Sequence, residues 1–121
     1  MLFSKTIIVP ADTTRVEPLV DYLRITQGNI NRWLVMIPVA SGWCCGIQVF
    51  HSDFQLLPLS IGEWIQGGLV TVDIAEDIKI QHPPFILEIH TFNEDLNFEH
   101  KIWFGVSVLR PTNLTEMLLE L

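Results

Sequence analysis

The chain carries little charge for its size, and its basic residues form no cluster. Charged residues make up 17% of its 121 residues and hydrophobic residues 49%, with a net charge of −7. Soluble domains usually contain about 25% charged residues. The seven basic residues are scattered singly between Lys5 and Arg110. Because nucleic acids and anionic membranes are bound through concentrated positive charge, the composition disfavours both as partners.

Cysteine is also scarce, which excludes a disulfide framework. The only two cysteines, Cys44 and Cys45, are adjacent in the sequence. Neighbouring side chains on a strand point to opposite faces and cannot bridge each other without severe strain. We therefore expect two unpaired thiols that pack as small apolar residues, in a protein made in a reducing compartment.

No segment has the pattern of a signal peptide or of a membrane span. Lys5 and Asp12 interrupt the apolar residues near the N-terminus, so we expect no leader. The long charge-free stretch 33–52 has turn residues at its centre, between Pro38 and Gly42. This stretch therefore predicts two strands joined by a turn, and no membrane helix.

Helical periodicity is missing from most of the chain, which instead shows short apolar or alternating segments separated by turn residues. About eight such strands predict one all-β domain over 1–121, an antiparallel, jelly-roll-like β-sandwich. Segment 1–15 is a candidate N-terminal arm. Segment 112–121 is a candidate C-terminal helix or extended tail, because its leucines fall at helical spacing. The predicted strands are Thr6–Val9, Leu19–Thr26, Ile30–Ile37, Trp43–His51, Phe54–Leu57, Leu69–Ile74, Phe85–Phe92 and His100–Leu109.

Several predicted strands are apolar on both faces, although a water-exposed sandwich strand should have a polar outer row. Both rows of Ile30–Ile37 are apolar, the outer row of His100–Leu109 includes a tryptophan, and one row of Phe85–Phe92 is mixed. We therefore predict a contact face for protein partners on Ile30–Ile37 and a Phe85–Leu109 hairpin, beside the Leu-rich tail. The predicted interface residues are Trp33, Val35, Ile86, Phe92, Trp103, Leu109, Leu114 and Leu118. Of the other tryptophans, Trp43 is predicted in the core and Trp64 as a plug over one end.

No residue constellation indicates catalysis, a cofactor or a metal. His90 and His100 are predicted to point to opposite faces of one hairpin, so they do not converge on a metal. Neither cysteine has an adjacent basic residue to activate it, and no Gly-x-Ser-x-Gly nucleophile turn occurs. The carboxylates around the loop Asn93–Glu99 are typical of a solvated turn. The sequence thus predicts a protein that is not an enzyme, with no catalytic, cofactor or metal site.

The stretch from Ile37 to Pro111 carries a set of turn and core motifs. They are Ile37-Pro38, Gly46-Ile47-Gln48-Val49, Pro58 with Glu63-Trp64-Ile65, Pro84-Phe85, Phe92-Asn93-Glu94-Asp95, His100 and Val108-Leu109-Arg110-Pro111. In these motifs, which cover about two thirds of the chain, it resembles small β-sandwich structural proteins of tailed bacteriophages. The resemblance implies a virion component, a capsid cement or decoration protein that binds the major capsid protein on the capsid surface after synthesis in the host cytoplasm.

The leading hypothesis is therefore a structural protein that binds a large assembly as a homo-oligomer, with a trimer as the expected form. Burial of the outer apolar rows would hold it in place, with Trp33 and Trp103 as anchors. The alternative is a carbohydrate- or ligand-binding module associated with a tail or fibre, in which the same two tryptophans stack on a sugar. The sequence leaves the choice between a capsid and a tail or fibre partner open.

Overall fold

In the computed structural model, which describes residues 1–67 and 70–110, the chain is an all-β sandwich, as the sequence predicts. Nine strands lie within these residues, together with a 3-10 turn at Val39–Ser41. No helix in this part of the chain is long and apolar enough to cross a membrane. The strands are β1 (Leu2–Val9), β2 (Leu19–Arg24), β3 (Gly28–Ile37), β4 (Cys45–His51), β5 (Phe54–Leu57), β6 (Ile65–Gln66), β7 (Val70–Ile80), β8 (Ile86–Asn93) and β9 (His100–Leu109).

The strands form two antiparallel sheets with a nested pairing pattern. Sheet A has the order β1-β9-β3-β7, and sheet B has the order β2-β8-β4-β5, with β6 also paired to β4. The pairs β1–β9, β2–β8, β3–β7 and β4–β5 enclose one another along the chain, as in one long hairpin rolled into two layers. This winding is that of a jelly roll.

One core fills the space between the sheets, and the alternation of inward and outward side chains along strands such as β1 and β9 builds it. On β9 the row Ile102, Phe104, Val106 and Val108 is fully buried, as the sequence predicts. Trp33 of β3 packs on Phe104 with ring centroids 5.9 Å apart. Side chains alternate between the two faces of a strand, and the opposite row of β9 contains Lys101, Gly105 and Ser107. This alternation alone therefore predicts which row of β9 faces the core.

One predicted feature of the chain path is wrong. The predicted Phe85–Leu109 hairpin does not form, because β8 lies in sheet B and β9 in sheet A. The polar connection 94–99 crosses between the layers, and its length suits a hairpin and a crossing equally well. Within segment 1–15, the candidate arm, β1 pairs with β9 of the same chain in unbroken register from Leu2↔Ser107 to Val9↔His100. Segment 112–121, with Leu114 and Leu118, lies outside the described residues.

Candidate contact surface

The structure places two of the predicted interface residues in the interior. Trp33 and Val35 are 0% exposed and belong to the core. Because both rows of β3 are apolar, alternation alone could not show which row faces inward. The outer row of β3 is instead Arg32, Leu34 and Met36, opposite Ser107, Gly105 and Trp103 of β9. Burial of Trp33 also removes it from the sugar-stacking platform of the alternative hypothesis.

Phe92 lies on the outer side of sheet B, as predicted, but the chain itself covers it. The Trp64 ring stands edge-on to the Phe92 ring at a centroid distance of 4.8 Å. The guanidinium of Arg15 lies 4.4 Å from the centroid of the same ring. Gly46 allows the ring to lie this close to the strand, since a Cβ there would be 2.3 Å from a Phe92 carbon. Phe92 is therefore fully buried and is not a contact residue.

Trp43, predicted in the core, is instead 66% exposed. Strand β4 begins only at Cys45, and Trp43 belongs to the turn before it, with φ of 72° following Gly42 at 55°. The side-chain amide of Gln66 donates to the Trp43 carbonyl at 2.9 Å, which holds this backbone in place. The alternation of side chains along β4 does not continue through residues with left-handed backbone angles. The prediction that Trp43 lies in the core was therefore wrong.

The three remaining described interface residues do not share one face. Ile86 lies half-buried on the outer side of sheet B, whereas Trp103 and Leu109 lie on the outer side of sheet A. The predicted single contact face is thus split, because it depended on a β8–β9 hairpin. A partner can bind only to an outer face that the chain's own loops leave open.

Much of the outer face of sheet B is covered or polar. The buried amide of Gln48 donates to the Glu63 carbonyl at 2.8 Å, and the amide of Gln55 donates to the Pro58 carbonyl at 2.6 Å. These bonds hold the 58–63 loop over strands β4 and β5. On the β2–β8 side, Glu88 accepts a hydrogen bond from the Tyr22 hydroxyl at 3.4 Å. Glu88 and His90 there lie opposite Tyr22 and Val20, so that half of the face mixes polar and apolar side chains.

The outer face of sheet A exposes a group of apolar side chains on β1, β9 and β3, and no loop of the described residues covers them. Trp103 lies flat on the sheet over Gly105, where a Cβ would be 2.7 Å from the indole ring. Thr6 of β1 and Met36 of β3 lie directly beside Trp103 in register. Around this centre, four apolar side chains are between 50% and 57% exposed: Leu2, Ile8, Met36 and Leu109.

A groove of about 210 Å³ runs beside Trp103 on this face. Its described lining residues are Thr6, Met36, Ile37, Pro38, Thr71, Lys101 and Trp103. Lys101 is the one charged residue among them. At the margin of the face, Arg32 donates to Asp73 at 2.6 Å, and this hydrogen bond lowers the pKa of the Asp73 carboxyl. We call the groove and the surrounding apolar side chains the Trp103 surface.

Two histidines away from the Trp103 surface lie beside carboxylates. His100 lies 2.9 Å from Asp95, and His90 lies 3.2 Å from Glu88. Burial raises the pKa of the Cys45 thiol to about 12, so this thiol stays protonated and unreactive. Over residues 1–67 and 70–110, no three His, Cys, Asp or Glu side chains gather in a way that could hold a metal ion.

Comparison with protein-family models, with curated proteins and with solved structures found no match to this chain. A jelly roll by itself is compatible with many functions. The function is therefore inferred from the Trp103 surface.

Proposed function

We propose that this chain is a structural protein that assembles with further copies of itself through the Trp103 surface and, as a homo-oligomer, binds a large assembly. The observation that carries the proposal is the contrast between the two outer faces. The outer face of sheet B is partly covered by the chain's own 58–63 loop and carries polar side chains beside Val20 and Tyr22, whereas that of sheet A exposes Leu2, Ile8, Met36 and Leu109 around Trp103. Such a patch on a small domain is typical of a protein contact.

The size of the apolar contribution fits reversible assembly. Burying a Leu, Ile or Met side chain fully is worth about 1.5–3 kcal/mol. Covering the exposed half of Leu2, Ile8, Met36 and Leu109 is therefore worth about 1 kcal/mol each, or roughly 8 kcal/mol over two copies. Association costs of about 4 kcal/mol or more offset much of this. One such contact is weak, but many contacts repeated on a lattice make binding effective.

The finer proposal is that the assembly is a phage capsid and that the chain is a cement or decoration protein on the major capsid protein. It is supported by the resemblance of the stretch Ile37–Pro111 alone. Several motif residues have architectural roles: Gly46 accommodates the Phe92 ring, Gln48 holds the 58–63 loop, and Asp95 bonds to His100. These residues support a common fold more directly than a common partner. No catalytic step is part of this proposal.

Replacing an apolar side chain of the Trp103 surface by a charged one tests self-association. We expect Met36→Glu to shift the full chain toward monomer, because a carboxylate buried in the contact would lose its hydration. Leu96→Glu is the matched control, since Leu96 is 71% exposed in the 94–99 loop, away from this face. Light scattering over a dilution series, with circular dichroism as a check of folding, measures the effect.

Equal association of Met36→Glu, Leu96→Glu and the unaltered chain would exclude the Trp103 surface as the contact. The capsid proposal has its own test, which is quantitative mass spectrometry of gradient-purified virus particles from the host that carries the gene. A capsid protein would be present in a fixed, high ratio to the major capsid protein. Its absence from particles would overturn the capsid assignment and leave the self-association intact.

A further inference from the structure

We propose that the free edge of β1 pairs antiparallel with β1 of a second copy, which joins the two A sheets into one continuous sheet. This inference rests on the proposed function, because it concerns the self-association of the same chain. It adds a second interface, formed by backbone hydrogen bonds at the edge of sheet A, beside the apolar Trp103 surface.

The first observation is the set of β1 backbone groups that no strand within residues 1–67 and 70–110 pairs with. Met1 and Val108 exchange two hydrogen bonds, from the Met1 amine to the Val108 carbonyl and from the Val108 N–H to the Met1 carbonyl, both at 2.8 Å. Hydrogen-bonded and non-bonded positions alternate in an antiparallel pair. The odd residues of β1 therefore bond to β9, and the even residues direct their N–H and C=O groups to the free side. Those even residues are Leu2, Ser4, Thr6 and Ile8, and all four are exposed.

The second observation is that the other described sheet edges carry features that discourage pairing. Strand β7 bears Asp73, Glu76, Asp77 and Lys79, and its pairing with β3 contains a bulge beside Asn31. Charges and bulges on an edge oppose edge-to-edge association. Strand β5 has only four residues and β6 only two, while β2 has six residues and contains Asp21 and Arg24. Strand β1 has eight residues in unbroken register and no proline.

Lys5 is the one charge on β1, and it does not project from the free edge. Its side chain lies on the inner side, where Nζ is 2.6 Å from Asp21 Oδ1 and 3.2 Å from the Tyr22 carbonyl oxygen. An inward lysine on an edge strand opposes pairing, because a second strand would help to bury its charge. In this chain the Asp21 carboxylate already pairs with that charge. The side chains on the outer row of β1 are serine, threonine and aliphatic residues.

The third observation favours a second copy as the occupant of this edge. Opposite residues in a sheet share a face, so the pairing must bring even residues of one β1 opposite even residues of the other. Leu2 and Ile8 of both copies then lie on the same outer face as Trp103. The pairing thus makes one larger apolar face out of two Trp103 surfaces. A two-fold axis at Thr6 pairs even residues with even residues and does not place the two Lys5 side chains opposite each other.

Amide hydrogen exchange of the unaltered full chain, followed by NMR at low and high concentration, tests the pairing directly. We expect the amides of Phe3, Lys5, Ile7 and Val9 to be protected at both concentrations. The amides of Ser4, Thr6 and Ile8 should become protected only at high concentration, because only the second copy supplies their acceptors. Protection of the even amides that does not change with concentration, or that never appears, would overturn the proposal.

Ser4→Pro removes an edge-facing N–H without removing a bond to β9, and Ser4→Thr keeps that N–H as the matched control. Ser4 does not line the groove beside Trp103, so this pair of variants tests the edge alone. We expect Ser4→Pro to weaken association about tenfold or more and Ser4→Thr to leave it unchanged. If association persists in Ser4→Pro but falls in Met36→Glu, the edge proposal fails and the Trp103 surface stands. The reverse result supports the edge and excludes the Trp103 surface, and an unaltered chain that is monomeric at every concentration overturns both.

Discussion

Asn93 organises the corner where the chain leaves sheet B for sheet A, so its replacement by aspartate should destabilise the fold strongly. The side chain is fully buried. Its Nδ2 donates to the Val9 carbonyl at 3.1 Å and to the Phe98 carbonyl at 2.9 Å, while Oδ1 accepts from the Asp95 N–H at 3.0 Å. Three segments therefore meet on one amide: the end of β1, the end of β8 and the 94–99 connection.

Asn93→Asp keeps the shape and the acceptor but removes both donors. The Val9 and Phe98 carbonyls would each lose a hydrogen bond that is at least partly buried. At about 1–3 kcal/mol apiece, the loss is roughly 2–6 kcal/mol in the free energy of unfolding near neutral pH. The loss should shrink in acid, because a protonated carboxyl can donate to one of the two carbonyls. Urea denaturation at neutral and mildly acidic pH measures both effects.

Asn97→Asp is the control, since it makes the same chemical change at an exposed position of the same connection. We expect it to change stability by less than about 1 kcal/mol. The account of the corner is refuted if Asn93→Asp costs no more than this control, or if its cost is the same at every pH where the protein is folded.

Two further predictions concern titratable groups. A hydrogen bond from the Asn97 N–H and, next, one from the His100 side chain hold the pKa of Asp95 below its usual value. The ionised carboxylate therefore stabilises the fold above about pH 4. This contribution to stability is lost as the pH falls through the pKa of Asp95 in the folded protein. Asp95→Asn should flatten the acid side of a plot of urea midpoint against pH, and an unchanged plot would contradict this. Burial raises the pKa of Cys45 to about 12, so iodoacetamide should modify Cys44 and spare Cys45; equal labelling in a peptide map would show that Cys45 is accessible.

The sequence predicts the strands that residues within or next to them define. Strand β9 is found at the predicted residues His100–Leu109, with its wholly apolar row from Ile102 to Val108 inside. Strand β5 likewise has the predicted bounds Phe54–Leu57, because Pro58 follows it directly.

The sequence does not predict features that depend on distant parts of the chain. The two apolar rows of β3 give no sign of which faces inward until Phe104 is known to pack on Trp33. Phe92 faces outward but is hidden by Trp64 and Arg15, which lie far from it in sequence. Of the residues in the candidate contact surface, the sequence therefore predicted only Trp103 and Leu109. The others are brought beside them by the strand order of sheet A.

The central claim is that the chain self-associates and thereby covers the Trp103 surface. The mass of the unaltered chain in solution tests this claim most directly. Sedimentation equilibrium over a range of protein concentrations gives this mass without any assumption about shape. The account predicts a mass that rises with concentration from 13.9 kDa to a whole multiple of that value, and a smaller rise for Met36→Glu. A mass that stays at 13.9 kDa at every concentration would contradict the claim.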